Sequence, residues 1–110
     1  MTQTSNTVVT RPNDDITVVA LAEAALTEKQ INATRDTLLK LGDEIGAGEL
    51  RLDFAQVTYL DSSALGMLVL LHRRAGQKGG HLVLDNLAPD LYELLKLTRL
   101  DTILDARPTE

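Results

Sequence analysis

The chain has 110 residues, of which 44% are apolar and 25% are charged, a balance typical of one soluble globular domain and not of a disordered segment. Its 11 Lys and Arg against 16 Asp and Glu give a net charge of −5, which disfavours a nucleic-acid backbone as a partner. The chain has no cysteine, which excludes disulfides and sulfur-bound zinc, and no apolar run approaches the ~20 residues of a membrane span.

The termini are polar, and the N-terminal segment lacks the basic start and the apolar stretch of a secretion signal. We therefore expect a cytoplasmic protein that does not insert into a membrane. Residues 1–7 are expected to be a flexible N-terminus, residues 8–106 one folded domain, and residues 107–110 a flexible tail. Val8 and Val9 predict a short first strand.

The next segment predicts a strand followed by a helix. The β-branched run Ile16–Leu21 has the length of a strand, and its nearly continuous apolarity favours a place inside a sheet. Thr27 and Gln30 have the spacing of a capping box, which predicts a helix over residues 28–41. Gly42 is then expected to end that helix.

The second half of the chain repeats this alternation. Residues 50–54 alternate between apolar and polar side chains, as in a strand with one face toward water. A helix is predicted over residues 62–77 and stops before a glycine pair, and residues 81–84 predict another strand. Pro89 favours the first turn of a third helix that ends near Thr98. Strands that alternate with helices in this way predict an α/β fold.

An Asp-Ser-Ser sequence stands where the second predicted helix begins. It lies within VTYLDSSALG, residues 57–66, so that Asp61, Ser62 and Ser63 follow an extended apolar segment. Backbone N–H donors and the positive end of the helix dipole favour an anion at such a position. The serines are therefore open to three interpretations: plain helix caps, a hydrolase nucleophile, or phosphate acceptors.

The hydrolase interpretation has the least support from the sequence. A nucleophile elbow needs a glycine two residues on either side of the serine, and neither Ser62 nor Ser63 has that pattern. The available bases are His72 and His81, and neither has a metal-ligand spacing to a second histidine or a carboxylate. We expect no catalytic residue, no metal and no cofactor in this chain.

A resemblance to the STAS domain of the anti-sigma-factor antagonist family is carried by residues 52–104, LDFAQVTYLDSSALGMLVLLHRRAGQKGGHLVLDNLAPDLYELLKLTRLDTIL. The specific features are Asp-Ser-Ser-x-Leu-Gly at a helix start, a strand after a glycine pair, and a third helix with a leucine-rich face. The resemblance extends over about residues 16–105. It implies a single STAS-type α/β domain, with a small mixed sheet of four or five strands and three or four helices mainly on one face.

The resemblance also implies a function. In family members that resemble bacterial switch proteins, a partner that is both an anti-sigma factor and a serine kinase phosphorylates the first serine of the motif. The matching residue is Ser62, with Ser63 as a second acceptor and Asp61 as the residue that orients the hydroxyl. The resemblance implies a partner surface composed of Thr27, Ser63, Ala64, Leu65, Gly66 and Met67.

Two roles remain open within the resemblance. In the first, the protein binds an anti-sigma kinase while Ser62 is unmodified and is switched off by phosphorylation, with a serine phosphatase and a weak homodimer as further expected partners. In the second, it is a constitutive STAS binding subunit of a lipid-transport ATPase complex or another signalling assembly. The domain itself supplies no catalysis in either role.

Overall fold

Strands and helices alternate along residues 7–109, which are the residues that the computed structural model describes. The strands are β1 (Thr7–Asn13), β2 (Ile16–Leu21), β3 (Ala25–Leu26), β4 (Glu49–Asp53), β5 (Tyr59–Leu60), β6 (His81–Leu87) and β7 (Asp105–Pro108). The helices are α1 (Glu28–Glu44), α2 (Ser62–Gln77) and α3 (Pro89–Leu97), followed by a 3₁₀ turn at Leu100–Thr102.

The main sheet has five strands in the order β1-β2-β4-β6-β7. The first strand runs antiparallel to β2, whereas β2, β4, β6 and β7 are parallel to one another. A separate parallel pair joins β3 to β5. The predicted α/β fold with a mixed sheet is therefore confirmed, and β2 lies inside the sheet as expected.

One face of the sheet and the three helices enclose a single core. Along β4, Leu50 and Leu52 are fully buried, while the alternating residues Glu49, Arg51 and Asp53 are partly exposed. The core-facing leucines of the strands form one cluster with the apolar faces of the helices, so the helices cover the same side of the sheet. The helical members of this cluster include Ile31, Leu38, Leu41, Leu68, Leu71, Leu91 and Leu95.

The end predicted for the first helix is wrong. Helix α1 continues through Gly42 to Glu44, and Gly42 is buried. A Cβ atom on Gly42 would lie 2.8 Å from Cδ1 of Leu71, so a hydrogen is the only side chain that fits between α1 and α2 without a shift. This glycine is a packing residue between two helices and not a helix terminator.

Several other bounds agree with the sequence. The predicted strand Ile16–Leu21 and the predicted helix over residues 62–77 match β2 and α2. The third helix begins at Pro89 as expected, and Thr98 is its C-cap. The strand predicted over residues 81–84 continues to Leu87 in β6.

The C-terminal residues differ from expectation. The tail predicted to be flexible from residue 107 begins inside β7, where Pro108 pairs with Leu87 of β6. The N–H of Thr109 also donates to the carbonyl oxygen of Leu87 at 2.8 Å. At the other terminus β1 begins at Thr7, and residues 1–6, like residue 110, lie outside the described residues.

The turns at the amino ends of β4 and β6 pack directly against each other. A Cβ atom on Gly80 would lie 2.6 Å from the carbonyl oxygen of Gly46 and 3.0 Å from that of Gly48. The N–H of His81 donates to the same Gly48 oxygen at 3.0 Å. Glycine is required at residue 80 because backbone atoms of the neighbouring turn occupy the side-chain position.

Candidate functional site

Asp61 caps the second helix. The chain reaches it through β5, where Leu60 is buried in the core, and Asp61 has extended backbone angles before the helix begins at Ser62. The Oδ1 atom of Asp61 accepts a hydrogen bond from the N–H of Ala64 at 3.0 Å. The Asp-Ser-Ser sequence thus begins α2 with a side-chain cap, which satisfies one of the helix's free N–H groups.

The second carboxylate oxygen of Asp61 reaches the other helix of the pair. Its Oδ2 atom accepts a hydrogen bond from the N–H of Glu28 at 2.9 Å, across 33 residues of sequence. Glu28 is the first residue of α1, after the N-cap Thr27. One carboxylate therefore binds backbone N–H groups at the starts of both α1 and α2.

The short strand pair β3–β5 explains why the two helix starts are adjacent. Its register pairs Ala25 with Tyr59 and Leu26 with Leu60. The N–H of Asp61 also donates to the carbonyl oxygen of Leu26 at 3.1 Å. Because the two strands are parallel and each leads into a helix, they deliver α1 and α2 to the same end of the molecule. We call this region the serine end and define it by Thr27, Glu28, Tyr59, Asp61, Ser62, Ser63 and Gly66.

Ser62 is exposed at the first position of α2, and Ser63 is partly buried. Ser62 thus lies at the surface, at the end of α2 where the N–H groups of the first helical turn are found. A negative group on Ser62 is compatible with the fold because the helix N-terminus favours negative charge.

The other residues expected at a partner surface divide into two groups. Thr27 and Leu65 are partly buried and Gly66 is exposed, so each has solvent-accessible surface that a partner could contact. Ala64 and Met67 do not, because their exposed fractions are 0% and 4% and both lie in the core. The proposed partner surface therefore leaves out these two residues, because one side of the helix faces the core and the other faces solvent.

Sequence reasoning missed two residues of the serine end. Tyr59 has an exposed fraction of 55%, which is large for an aromatic side chain, although it lies beside buried Leu60. The second residue, Glu28, donates its backbone N–H to Asp61. An alternation of one exposed and one buried residue indicates β5 only weakly, and no sequence signal identifies a backbone donor.

The histidines lie away from the serines. His72 follows Ser62 by ten residues in the same helix, about 15 Å along its axis. His81 begins β6, and its Nε2 atom lies 2.8 Å from Oδ2 of Asp105. Neither arrangement brings an imidazole to a serine hydroxyl as a nucleophile–base pair requires.

Charge interactions that perturb a pKa also lie elsewhere. A hydrogen bond from Arg74 lowers the pKa of Asp43, at the end of the α1–α2 contact remote from Ser62. Hydrogen bonds from Arg107 and then from His81 lower the pKa of Asp105 on the sheet. Each shift arises from an ion pair between elements or within a strand, which is a structural arrangement and not an acid–base pair at the serines.

Comparison with known proteins decides the family. A family model described as "Mlab, STAS domain" matches residues 9–105, which is most of the chain. This chain belongs to the STAS-domain family. No helix within residues 7–109 of this STAS domain is both long enough and apolar enough to cross a membrane.

Similar proteins agree with this assignment. The STAS domain is 34% identical over 71 residues to an "Anti-sigma-B factor antagonist" of Bacillus subtilis, covering 64% of this chain and 63% of that protein. A solved structure of an anti-sigma-factor antagonist (STAS) domain protein from Planctomyces limnophilus superposes with a TM-score of 0.83 at 21% identity, covering 94% and 91% of the two chains. The Bacillus cell fate determinant SpoIIAA in its phosphorylated form superposes with a TM-score of 0.67 at 16% identity, covering 91% and 89%.

The solved structures establish a shared fold, since their identities to this chain are low. The chain spans between 52% and 63% of the length of the first curated relatives that it matches.

Proposed function

We propose that this STAS domain is an anti-sigma-factor antagonist that binds an anti-sigma factor with serine kinase activity while Ser62 is unmodified. Phosphorylation of Ser62 then releases the partner. The observation that carries the proposal is the exposed Ser62 at the first position of α2, directly after the capping Asp61. The relative from Bacillus subtilis named as an anti-sigma-B factor antagonist supports the same role.

The proposed modification changes charge without requiring a change of fold. The kinase transfers the γ-phosphoryl group of ATP to Oγ of Ser62, the hydroxyl proton is lost, and ADP leaves. A phosphatase reverses the step by adding water, which restores the hydroxyl and frees inorganic phosphate. The phosphate brings about −1.5 to −2 charges, which the start of a helix tolerates.

The partner does not tolerate this charge equally well. The basic residues Arg73 and Arg74 lie near the far end of α2, and Arg74 already pairs with Asp43 at 3.1 Å. A partner surface shaped for a neutral hydroxyl therefore has to desolvate the phosphate without help from these cations. Shifting a complex from 99% bound to 99% free takes about 5.5 kcal/mol of differential affinity, which one buried, uncompensated dianion supplies.

Phosphorylation tests the assignment directly. The protein is incubated with ATP and an anti-sigma factor with serine kinase activity from the same organism, and the phosphate is located by mass spectrometry. We expect modification of Ser62, its loss in Ser62→Ala, and its retention in Ser63→Ala. Equal phosphorylation of Ser62→Ala and the wild type would refute Ser62 as the acceptor.

Partner binding tests the switch. Ser62→Asp adds a charge and Ser62→Asn adds a neutral side chain of the same size, so the pair separates charge from bulk. We expect Ser62→Asp to weaken kinase binding at least tenfold more than Ser62→Asn. Circular dichroism of both variants checks that the fold is retained.

A constitutive STAS binding subunit of a lipid-transport ATPase complex is the second candidate. The observation that favours it is the description of the matching family model, which names Mlab and not an anti-sigma-factor antagonist. Under this alternative, Ser62→Asp leaves the partner complex nearly intact. The neighbouring genes also separate the two roles, since a kinase and a phosphatase gene favour the switch and a transporter operon favours the subunit.

Under either role we propose that the domain acts in the cytoplasm and contributes binding but no catalysis. A weak homodimer is a further proposed association, and sedimentation of the purified protein over a range of concentrations tests it.

A further inference from the structure

Asp61 takes part in four hydrogen bonds. Its backbone N–H donates to Leu26, and its backbone carbonyl accepts from Leu65 within α2. Its two carboxylate oxygens accept from the N–H groups of Ala64 and Glu28. Two of these connections are local to α2, and two reach the segment that leads into α1.

Position 61 requires more of its side chain than capping a helix does. Serine, asparagine and aspartate cap helices about equally well, because one side-chain acceptor is enough. A second acceptor is needed here for the N–H of Glu28, which is one of the unpaired donors at the start of α1. The N-cap residue of α1, Thr27, has its own side chain engaged with the Gln30 side chain. Aspartate provides both acceptors at once, and a charged acceptor makes the stronger hydrogen bond.

We propose that Asp61 is a positioning residue that holds Thr27 and Ser62 in one fixed arrangement through its hydrogen bond from the N–H of Glu28. This inference rests on the proposed function, in which the partner surface has two parts, one at the start of each helix. Asp61 thereby acts on the partner indirectly. Its carboxylate oxygens are directed to backbone N–H groups, so this role differs from orientation of the Ser62 hydroxyl.

The hydrogen bond can be removed from its donor side by a residue type that the start of a helix accepts. Proline lacks the backbone N–H and is favoured at the first position of a helix, which is where Glu28 stands. Its neighbour Thr27 has φ −112° and ψ 178°, which is the extended conformation that a residue before proline adopts. Glu28→Pro therefore deletes the donor, and Glu28→Ala is the matched control that removes the same carboxylate while keeping the N–H.

The first measurement uses the isolated protein. Amide hydrogen exchange is followed by NMR at Asp61, whose N–H bonds to Leu26, and at Phe54, whose N–H bonds to Asp85 in the main sheet. We expect exchange at Asp61 to be about fivefold faster in Glu28→Pro than in Glu28→Ala. The reason is that the β3–β5 pair loses the adjacent hydrogen bond between Glu28 and Asp61. Exchange at Phe54 should be equal in the two variants.

The second measurement uses the kinase that modifies Ser62. We expect the KM for the protein substrate to rise about tenfold in Glu28→Pro relative to Glu28→Ala, with kcat unchanged within twofold. Asp61→Ser keeps a cap for α2 but loses the second acceptor, so it should raise KM similarly. The double variant should be no worse than either single one, because both changes remove the same hydrogen bond.

The outcomes separate this inference from the proposed function. Equal exchange at Asp61 in Glu28→Pro and Glu28→Ala overturns the positioning role, and so does an equal KM. If no kinase modifies Ser62, the proposed function fails, and the exchange measurement alone then decides whether Asp61 positions the two helix starts.

Discussion

The contact between α1 and α2 is held by different forces at its two ends. At the serine end, a hydrogen bond from the N–H of Glu28 to Asp61 joins the helix starts, and exposed side chains surround it. Near the other end, Gly42 approaches Leu71 so closely that a Cβ atom would overlap it, and Asp43 pairs with Arg74 at 3.1 Å. The difference indicates that close packing sets stability at one end, whereas the other end is free to serve recognition.

Changing Gly42 should have the largest effect on stability. Gly42→Val places a Cβ atom 2.8 Å from Cδ1 of Leu71, so the fully buried Leu71 side chain must shift to accommodate the branched residue. We expect the free energy of unfolding to fall by about 1–3 kcal/mol in urea denaturation, as overpacking does in other cores. Gly76→Val is the control, because a Cβ at Gly76 meets nothing within 4 Å. Wild-type stability of Gly42→Val would contradict the assignment of stability to this end.

At the serine end, changing Tyr59 should affect binding and spare stability. Tyr59 is 55% exposed and precedes Ser62 by three residues, and tyrosines are enriched among the residues that dominate interface energies. We expect Tyr59→Ala to weaken kinase binding about tenfold in calorimetry, with the free energy of unfolding changed by less than about 0.5 kcal/mol. Leu97→Ala tests the specificity of the effect, because Leu97 is 74% exposed at the end of α3. Equal losses of affinity in both variants would remove Tyr59 from the proposed surface.

Gly66 sharpens the comparison because a single methyl group should change stability and binding in opposite directions. A Cβ at Gly66 meets nothing within 4 Å, so Gly66→Ala should stabilise α2 by about 0.5–1 kcal/mol. If Gly66 contacts the partner closely, the same methyl group should weaken binding severalfold. Gly76→Ala has the same expected stability gain and serves as the matched control for binding. Undiminished kinase binding by Gly66→Ala would place this residue outside the contact.

The smallest expected effect concerns acid. A hydrogen bond from Arg74 holds the pKa of Asp43 below its ordinary value of 3.8, so the ion pair stabilises the fold above that pH. The contribution is lost as the pH falls below 3.8 and through the lowered pKa. We expect a small difference in urea midpoint between wild type and Asp43→Asn at about pH 6, which shrinks progressively as the pH is lowered below 3.8 and in high salt. Asp36→Asn is the matched control, because it removes an exposed carboxylate from the same helix.

Sequence patterns predicted the regular elements well where local chemistry decides them. The start of α2 follows from a capping residue before an apolar helix, and β2 follows from a β-branched run. The predicted end of α1 was wrong because a glycine such as Gly42 is found both where a helix stops and where another helix packs closely. Only the position of Leu71 distinguishes them, and that depends on the fold.

The position of the serine in the candidate site could be predicted from the sequence, but the hydrogen bond that joins the two helix starts could not. An exposed hydroxyl at the first position of α2 follows from the order Asp61, Ser62 and the apolar residues behind them. The hydrogen bond between Glu28 and Asp61 spans 33 residues and depends on the register of two-residue strands, which leave almost no pattern. Burial of Ala64 and Met67 depends on which side of α2 faces the sheet.

The interlocked glycine turns before β4 and β6 have a practical consequence for protein engineering. Since the backbone at Gly46 and Gly48 fills the space beside Gly80, an inserted peptide at either turn would displace the other. Affinity tags, fluorescent reporters or grafted epitopes are therefore better fused at a chain terminus than inserted into these two turns.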